Sequence, residues 1–254
     1  MKTLIILHGW QSSKERWADV KEKLESAGIR VIVPDIPGFK PETILNKTWN
    51  LDDYLSWFED FLLKRKIVYS HDIQLNSVDA NTEGFFLLGH SFGARISIKF
   101  AEKYPGKIKG LILVSAAGIK KQDTLYGKLL GFMAKTMKVL KIEEASLSKG
   151  FIQFLKKVFY RYILRKTDYF KASGFLKETI KRILAEDLTH LLDKISVPTL
   201  ILWGKRDKIT PLKDAELMHK KIKNSKLEIF NNAGHPVHLE CPKILTQKVK
   251  TFLE

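Results

Sequence analysis

Short apolar runs recur along this chain, separated by longer segments whose apolar residues repeat at helical spacing. That alternation admits few arrangements other than a parallel sheet covered by helices. The runs Thr3–Leu7, Arg30–Val33, Gly84–Leu88, Gly110–Ser115, Thr199–Trp203 and Lys226–Phe230 read as strands. Between them, Ser13–Ala27 stops at Gly28, Leu51–Lys66 carries apolar residues every three to four positions, and Phe92–Tyr104 runs into Pro105-Gly106, the punctuation expected of helices. The expected fold class is therefore α/β, a mostly parallel, doubly wound sheet of about six strands. The polar stretch Val68–Glu83 reads as an irregular excursion.

The rhythm fails in one place. From residue 118 to residue 192 no convincing strand appears, and apolar positions such as Leu129, Leu130, Met133, Met137 and then Phe151, Phe154, Leu155, Val158 repeat at helical spacing. The expected organisation is a core made of residues 1–117 and 193–254 with a helical insert at 118–192. A length of 254 residues suits one such domain, given about 150 residues per domain as a guide.

The insert holds sixteen lysines and arginines against seven acidic residues, more than half of the excess behind a net charge of +16. Lysines and glutamates interleave along amphipathic segments, and no zinc-finger, helix-turn-helix or RNA-recognition pattern is present, so a nucleic-acid partner is not expected. The basic insert instead suggests an acidic carrier protein or an anionic membrane surface as a partner. No run approaches the roughly 18 apolar residues of a membrane span, and none resembles a signal peptide, so a cytoplasmic location is expected. The single cysteine, Cys241, can form neither an internal disulfide nor a paired-thiolate zinc site. Oligomeric state is not legible.

Chemistry concentrates at three places. Gly89-His90-Ser91-Phe92-Gly93 follows an apolar run and opens a helix. Glycines two before and two after a serine let the strand-to-helix turn close tightly and project the hydroxyl past the sheet edge, above a helix N-terminus. A serine needs a base to take its proton and an acid to orient that base. Asp207 lies in the loop after Thr199–Trp203 and His235 in the loop after Lys226–Phe230, and the chain order Ser91, Asp207, His235 fits three strand-end loops converging on one edge. His238 is a rival base, placed in or near the last helix. His90 reads as a packing residue and Asp35 as a turn residue, and Asp214 lies farther into the helix after the Asp207 loop. An oxyanion hole would come from the amides of Phe92 and of Trp10, with Gly9 permitting the turn and His8 bracing it.

Together Leu7-His8-Gly9-Trp10, Val33-Pro34-Asp35-Ile36-Pro37-Gly38, Gly89-His90-Ser91-Phe92-Gly93, Trp203-Gly204-Lys205-Arg206-Asp207 and Gly234-His235-Pro236-Val237-His238-Leu239-Glu240 resemble the landmarks of the α/β-hydrolase superfamily, in its order and over nearly the whole chain. The resemblance implies a hydrolase with a helical cap over its site and no metal or organic cofactor. The family's N-terminal β-hairpin has no counterpart here, so a sheet shortened at that edge is expected. Ser91 stands where dehalogenases and epoxide hydrolases of the superfamily carry aspartate, which argues against those activities. Phe, Leu and Met in the insert favour an apolar acyl group, hence a serine esterase working through an acyl-enzyme. Carbon–carbon cleavage of a diketone-like compound, or a silent binding protein on the same fold, are the alternatives.

Overall fold

The computed structural model of the protein describes residues 1–67, 84–120 and 174–254. Residues 1–120 and 174–254 form one compact unit and 121–173 a second. The excursion at 68–83 and most of the basic insert, with the partner and pocket roles expected of it, lie outside the described residues.

The described residues hold six strands: β1 (Thr3–Leu7), β2 (Arg30–Ile32), β3 (Phe85–His90), β4 (Ile108–Val114), β5 (Thr199–Gly204) and β6 (Ser225–Phe230). They form one sheet in the order β2-β1-β3-β4-β5-β6, with every pair parallel. The helices among the described residues are α1 (Ala18–Glu25), α2 (Leu51–Lys64), α3 (Phe92–Lys103), α4 (Phe175–Ala185), α5 (Thr189–Leu192), α6 (Leu212–Lys221), α7 (Val237–Glu240) and α8 (Pro242–Leu253). None of those described is long and apolar enough to cross a membrane.

Side-chain alternation along the strands sorts the core into two layers. Ile5, Leu7, Leu87, Leu111, Leu113, Ile201 and Trp203 face the layer that holds Leu55 and Phe58 of α2, Ile96 of α3 and Met218 of α6. Leu4, Ile6, Leu88, Ile112, Val114, Leu200 and Leu202 face the layer of Val20 and Leu24 of α1 and Leu245 and Val249 of α8. These side chains are almost completely buried, and each contributes about 1.5–3 kcal/mol relative to exposure. Central strands buried on both faces read as the continuous apolar runs seen in the sequence. Helix α4, inside the segment read as an insert, adds Ile183 to the first layer, and its Thr179 hydroxyl accepts the Trp49 amide at 2.9 Å.

The helix expected over Ser13–Ala27 is split. A 3-10 turn at Lys14–Trp17 precedes α1, and Trp17 sits between them at φ −105°, ψ 3°. The break turns the indole inward, where it stacks on His238 with centroids 4.2 Å apart and planes 3° apart.

Chain order reverses between β1 and β3: β2 lies outside β1 on one side, and all later strands continue on the other. The crevice beyond the C-terminal ends of the strands at such a reversal is where open α/β sheets bind ligands.

Candidate active site

β1 and β3 flank that crevice, and the loops leaving them carry Trp10 and Ser91. Ser91 takes φ 52°, ψ −111°, a conformation costing about 1–3 kcal/mol for a non-glycine residue. Its surroundings hold it there: its amide donates to the Val114 carbonyl at 3.1 Å, and its carbonyl accepts from Ala94 at 3.2 Å and Ala117 at 3.0 Å. The turn closes only because its neighbours lack side chains. A Cβ on Gly89 would lie 2.4 Å from Ala94 Cα, and one on Gly93 would lie 2.1 Å from the Leu7 carbonyl oxygen.

The loops after β5 and β6 approach with similar closeness. A Cβ on Gly204 would lie 2.1 Å from the Gly234 oxygen, and Arg206 donates its amide to the Ala233 carbonyl at 2.9 Å. This contact brings Asp207 and His235 together. His235 Nδ1 lies 2.8 Å from Asp207 Oδ2 and its Nε2 lies 2.9 Å from Ser91 Oγ. With the carboxylate accepting, Nδ1 carries the proton and Nε2 accepts from the serine hydroxyl. Burial of Asp207 opposes its ionisation, but hydrogen bonds from His235 and Thr210 outweigh that and hold its carboxyl below the usual range.

The amides of Trp10 and Phe92 donate to no other group among the described residues; the latter is a first-turn amide of α3, which the helix leaves unpaired. Their side chains are fixed by ring contacts, Trp10 on Phe92 at 5.3 Å, Trp10 on Phe39 at 4.8 Å and Tyr54 on Phe92 at 5.0 Å. His8 is buried, donates from Nδ1 to the Gly9 carbonyl at 2.9 Å and accepts the Ile36 amide on Nε2 at 3.1 Å. Burial lowers its pKa, so it stays neutral and pins the β1 loop to the Ile36 turn.

Among the described residues none of the rivals is hydrogen-bonded to the Ser91 hydroxyl, which meets only His235. His238 in α7 stacks on Trp17 and makes no hydrogen bond from either nitrogen among the described residues. His90 packs edge-on to His238 at 4.7 Å and lies 3.2 Å from the His235 carbonyl through Nε2. Asp35 pairs with Lys14 and Lys40, each at 2.9 Å, and Asp214 is buried in α6. Two residues at the site were not singled out from sequence. Glu240 accepts the Gly234 amide at 2.6 Å and steadies the His235 loop; Thr210 contacts the Asp207 carboxylate through both its amide and its hydroxyl. A threonine three residues after an acidic loop residue was the available signal for the second.

Burial drives the pKa of His90 well below 6.5 and that of His238 to about 3. Both are neutral when folded yet bind protons below pH 6.5 when unfolded, so stability falls as pH drops from 6.5 toward the folded values, by up to about 1.4 kcal/mol per pH unit per group. His238→Phe keeps the ring on Trp17 and removes one group. Its melting temperature should decline less between pH 7 and pH 5 than that of the wild type, and parallel curves would refute this account.

The model of the serine aminopeptidase S33 family matches residues 1–242. The chain belongs to this family of α/β hydrolases. The hydrolase is 25% identical over 265 residues to the mouse (Mus musculus) monoacylglycerol lipase ABHD6, covering 99% of this chain and 75% of the relative. It is 29% identical to the AB hydrolase superfamily protein YisY of Bacillus subtilis (strain 168), covering 99% and 91%. Among solved structures, the esterase EaEST from Exiguobacterium antarcticum superposes with a TM-score of 0.71 at 23% identity, over 100% of this chain and 92% of that one. This S33 protein is a serine hydrolase with the fold its motifs implied.

Proposed function

We propose that the hydrolase cleaves a carboxylic ester with an apolar acyl group, using Ser91 as nucleophile, His235 as general base and Asp207 as its orienting acid. The observation that carries this is the continuous hydrogen-bonded path from Ser91 Oγ through the imidazole to the buried Asp207 carboxylate. As Ser91 attacks the carbonyl, His235 Nε2 takes its proton, and Asp207 stabilises the resulting imidazolium. The amides of Phe92 and Trp10 receive the negative charge of the tetrahedral intermediate. His235 then protonates the leaving alcohol and afterwards activates a water that releases the acid from the acyl-enzyme. The lipase and esterase names among its relatives support ester substrates, and the Phe, Leu and Met residues of the insert support an apolar acyl chain.

The test is intact mass after treatment with a fluorophosphonate, for wild type beside Ser91→Ala and His235→Ala, followed by turnover of p-nitrophenyl esters of increasing acyl length. A single adduct lost in both variants, with kcat/KM rising at least about tenfold from acetyl to a medium-length chain, is expected. No adduct on folded wild type would overturn the triad. Cleavage of a diketone but of no ester would overturn the substrate while leaving the triad standing.

A further inference from the structure

Thr210 makes more contacts with the catalytic machinery than a loop residue requires. It is 6% exposed. Its amide donates to Asp207 Oδ1 at 3.0 Å, beside the Ile209 amide at 2.8 Å. Its Oγ1 lies 2.8 Å from Asp207 Oδ2, the same oxygen that receives His235 Nδ1–H, and 3.3 Å from His235 Nδ1 itself. Oγ1 is also 3.2 Å from the Ser115 carbonyl, and the Thr210 carbonyl accepts the indole N–H of the buried Trp203 at 2.9 Å.

A hydroxyl has one proton to give. Two unprotonated oxygens 2.8 Å apart would repel, so the short contact places that proton toward the ionised Oδ2, and the lone pairs of Oγ1 face Nδ1–H. Trp203 anchors the residue to β5 from behind. Backbone amides alone would hold Oδ1 and leave the carboxylate free to swing Oδ2 about that end. The hydroxyl removes this freedom on the side that meets the imidazole.

We infer that Thr210 is a positioning residue whose hydroxyl aims Asp207 Oδ2 at His235, so that it acts on turnover through the Asp207–His235 pair rather than by touching substrate. The inference rests on the triad proposed above. Valine matches threonine in shape and lacks only the hydroxyl. In Thr210→Val, kcat for a small p-nitrophenyl ester should fall about 10- to 100-fold, the loss expected of one hydrogen bond to a charged group, with KM changed less than about twofold. Thr210→Ser should recover most of kcat. The low-field proton resonance of His235 Nδ1–H should be present in wild type and Thr210→Ser and be shifted or lost in Thr210→Val. A merely structural role would move none of these selectively.

Thr210→Ala, made alongside, answers to the same criteria if the valine protein does not fold. Wild-type kcat in the folded hydroxyl-less variant, or a serine variant as impaired as it, overturns the inference. Ser91→Ala in the same assay separates the two levels: wild-type turnover there would bring down the triad itself. Loss there with normal turnover in Thr210→Val would bring down only the role of Thr210.

Discussion

Ser91→Ala is expected to lower kcat for ester hydrolysis by roughly 10⁴- to 10⁶-fold, the scale seen when a nucleophile that works as a unit with its base is removed. The serine Oγ meets His235 Nε2 at 2.9 Å, so its loss leaves the base with nothing to activate but water. Residual catalysis would come from the amides of Trp10 and Phe92, which the substitution leaves in place. Folding should survive. Alanine has the same Cβ as serine and bears the same φ of 52°, while the hydrogen bonds that hold the turn come from the backbone of residue 91 rather than its side chain. Turnover of a p-nitrophenyl ester, far-ultraviolet circular dichroism and thermal unfolding together check this. A variant that melts like the wild type and retains even a tenth of its turnover would remove Ser91 from the mechanism.

Gly93→Ala should do the opposite, damaging the fold first and activity as a consequence. The added Cβ would lie 2.1 Å from the Leu7 oxygen, 2.5 Å from the Leu7 carbonyl carbon and 2.6 Å from the His8 oxygen. All three are backbone atoms at the end of β1, where Leu7 is registered against Gly89 of β3, so none can rotate away as a side-chain tip would. Relief requires α3 to lift from β1, which parts the Phe92 amide from the Trp10 loop. Overpacking against a rigid wall costs about 3 kcal/mol or more, which at the usual 2–4 °C per kcal/mol for a chain of this size lowers the melting temperature by about 10 °C. Gly28→Ala is the control. It has φ +79° and nothing within 4 Å of the added Cβ, so only the backbone penalty of about 1 kcal/mol applies. A Gly93→Ala protein as stable as Gly28→Ala would show that the helix and strand are not in the close contact described.

Strand identities were readable because each central strand is buried on both faces and must be apolar throughout; the runs expected at Gly84–Leu88 and Gly110–Ser115 are found at Phe85–His90 and Ile108–Val114, their ends shifted by one or two residues. The helix over Ser13–Ala27 was less so. Its periodicity is continuous, and nothing local marks the break at Trp17, which is set by stacking on a histidine more than two hundred residues away. At the site, Ser91 was readable from its own five residues because the backbone turn constrains the neighbours chemically. Asp207 and His235 were readable only as strand-end loop residues in the right order. His235 was preferred to His238 already from its place in the loop after a strand, and of the two only His235 lies within hydrogen-bond distance of Ser91 and Asp207 among the described residues.

What the sequence determined by itself is whatever is fixed by neighbours along the chain: the alternation that makes a parallel sheet, the glycines that permit the Ser91 turn, and the placement of candidate groups just beyond strand ends. Tertiary structure decided what depends on distance across the fold. It set the distances that join Ser91, His235 and Asp207, stacked His238 on Trp17 as a neutral ring, and set the Thr210 hydroxyl against Asp207 and Ser115. The reason is physical: local dihedral and hydrophobic preferences act within a few residues, whereas a hydrogen bond or a desolvation penalty is set by which atoms end up within about 3–4 Å, whatever their separation in sequence.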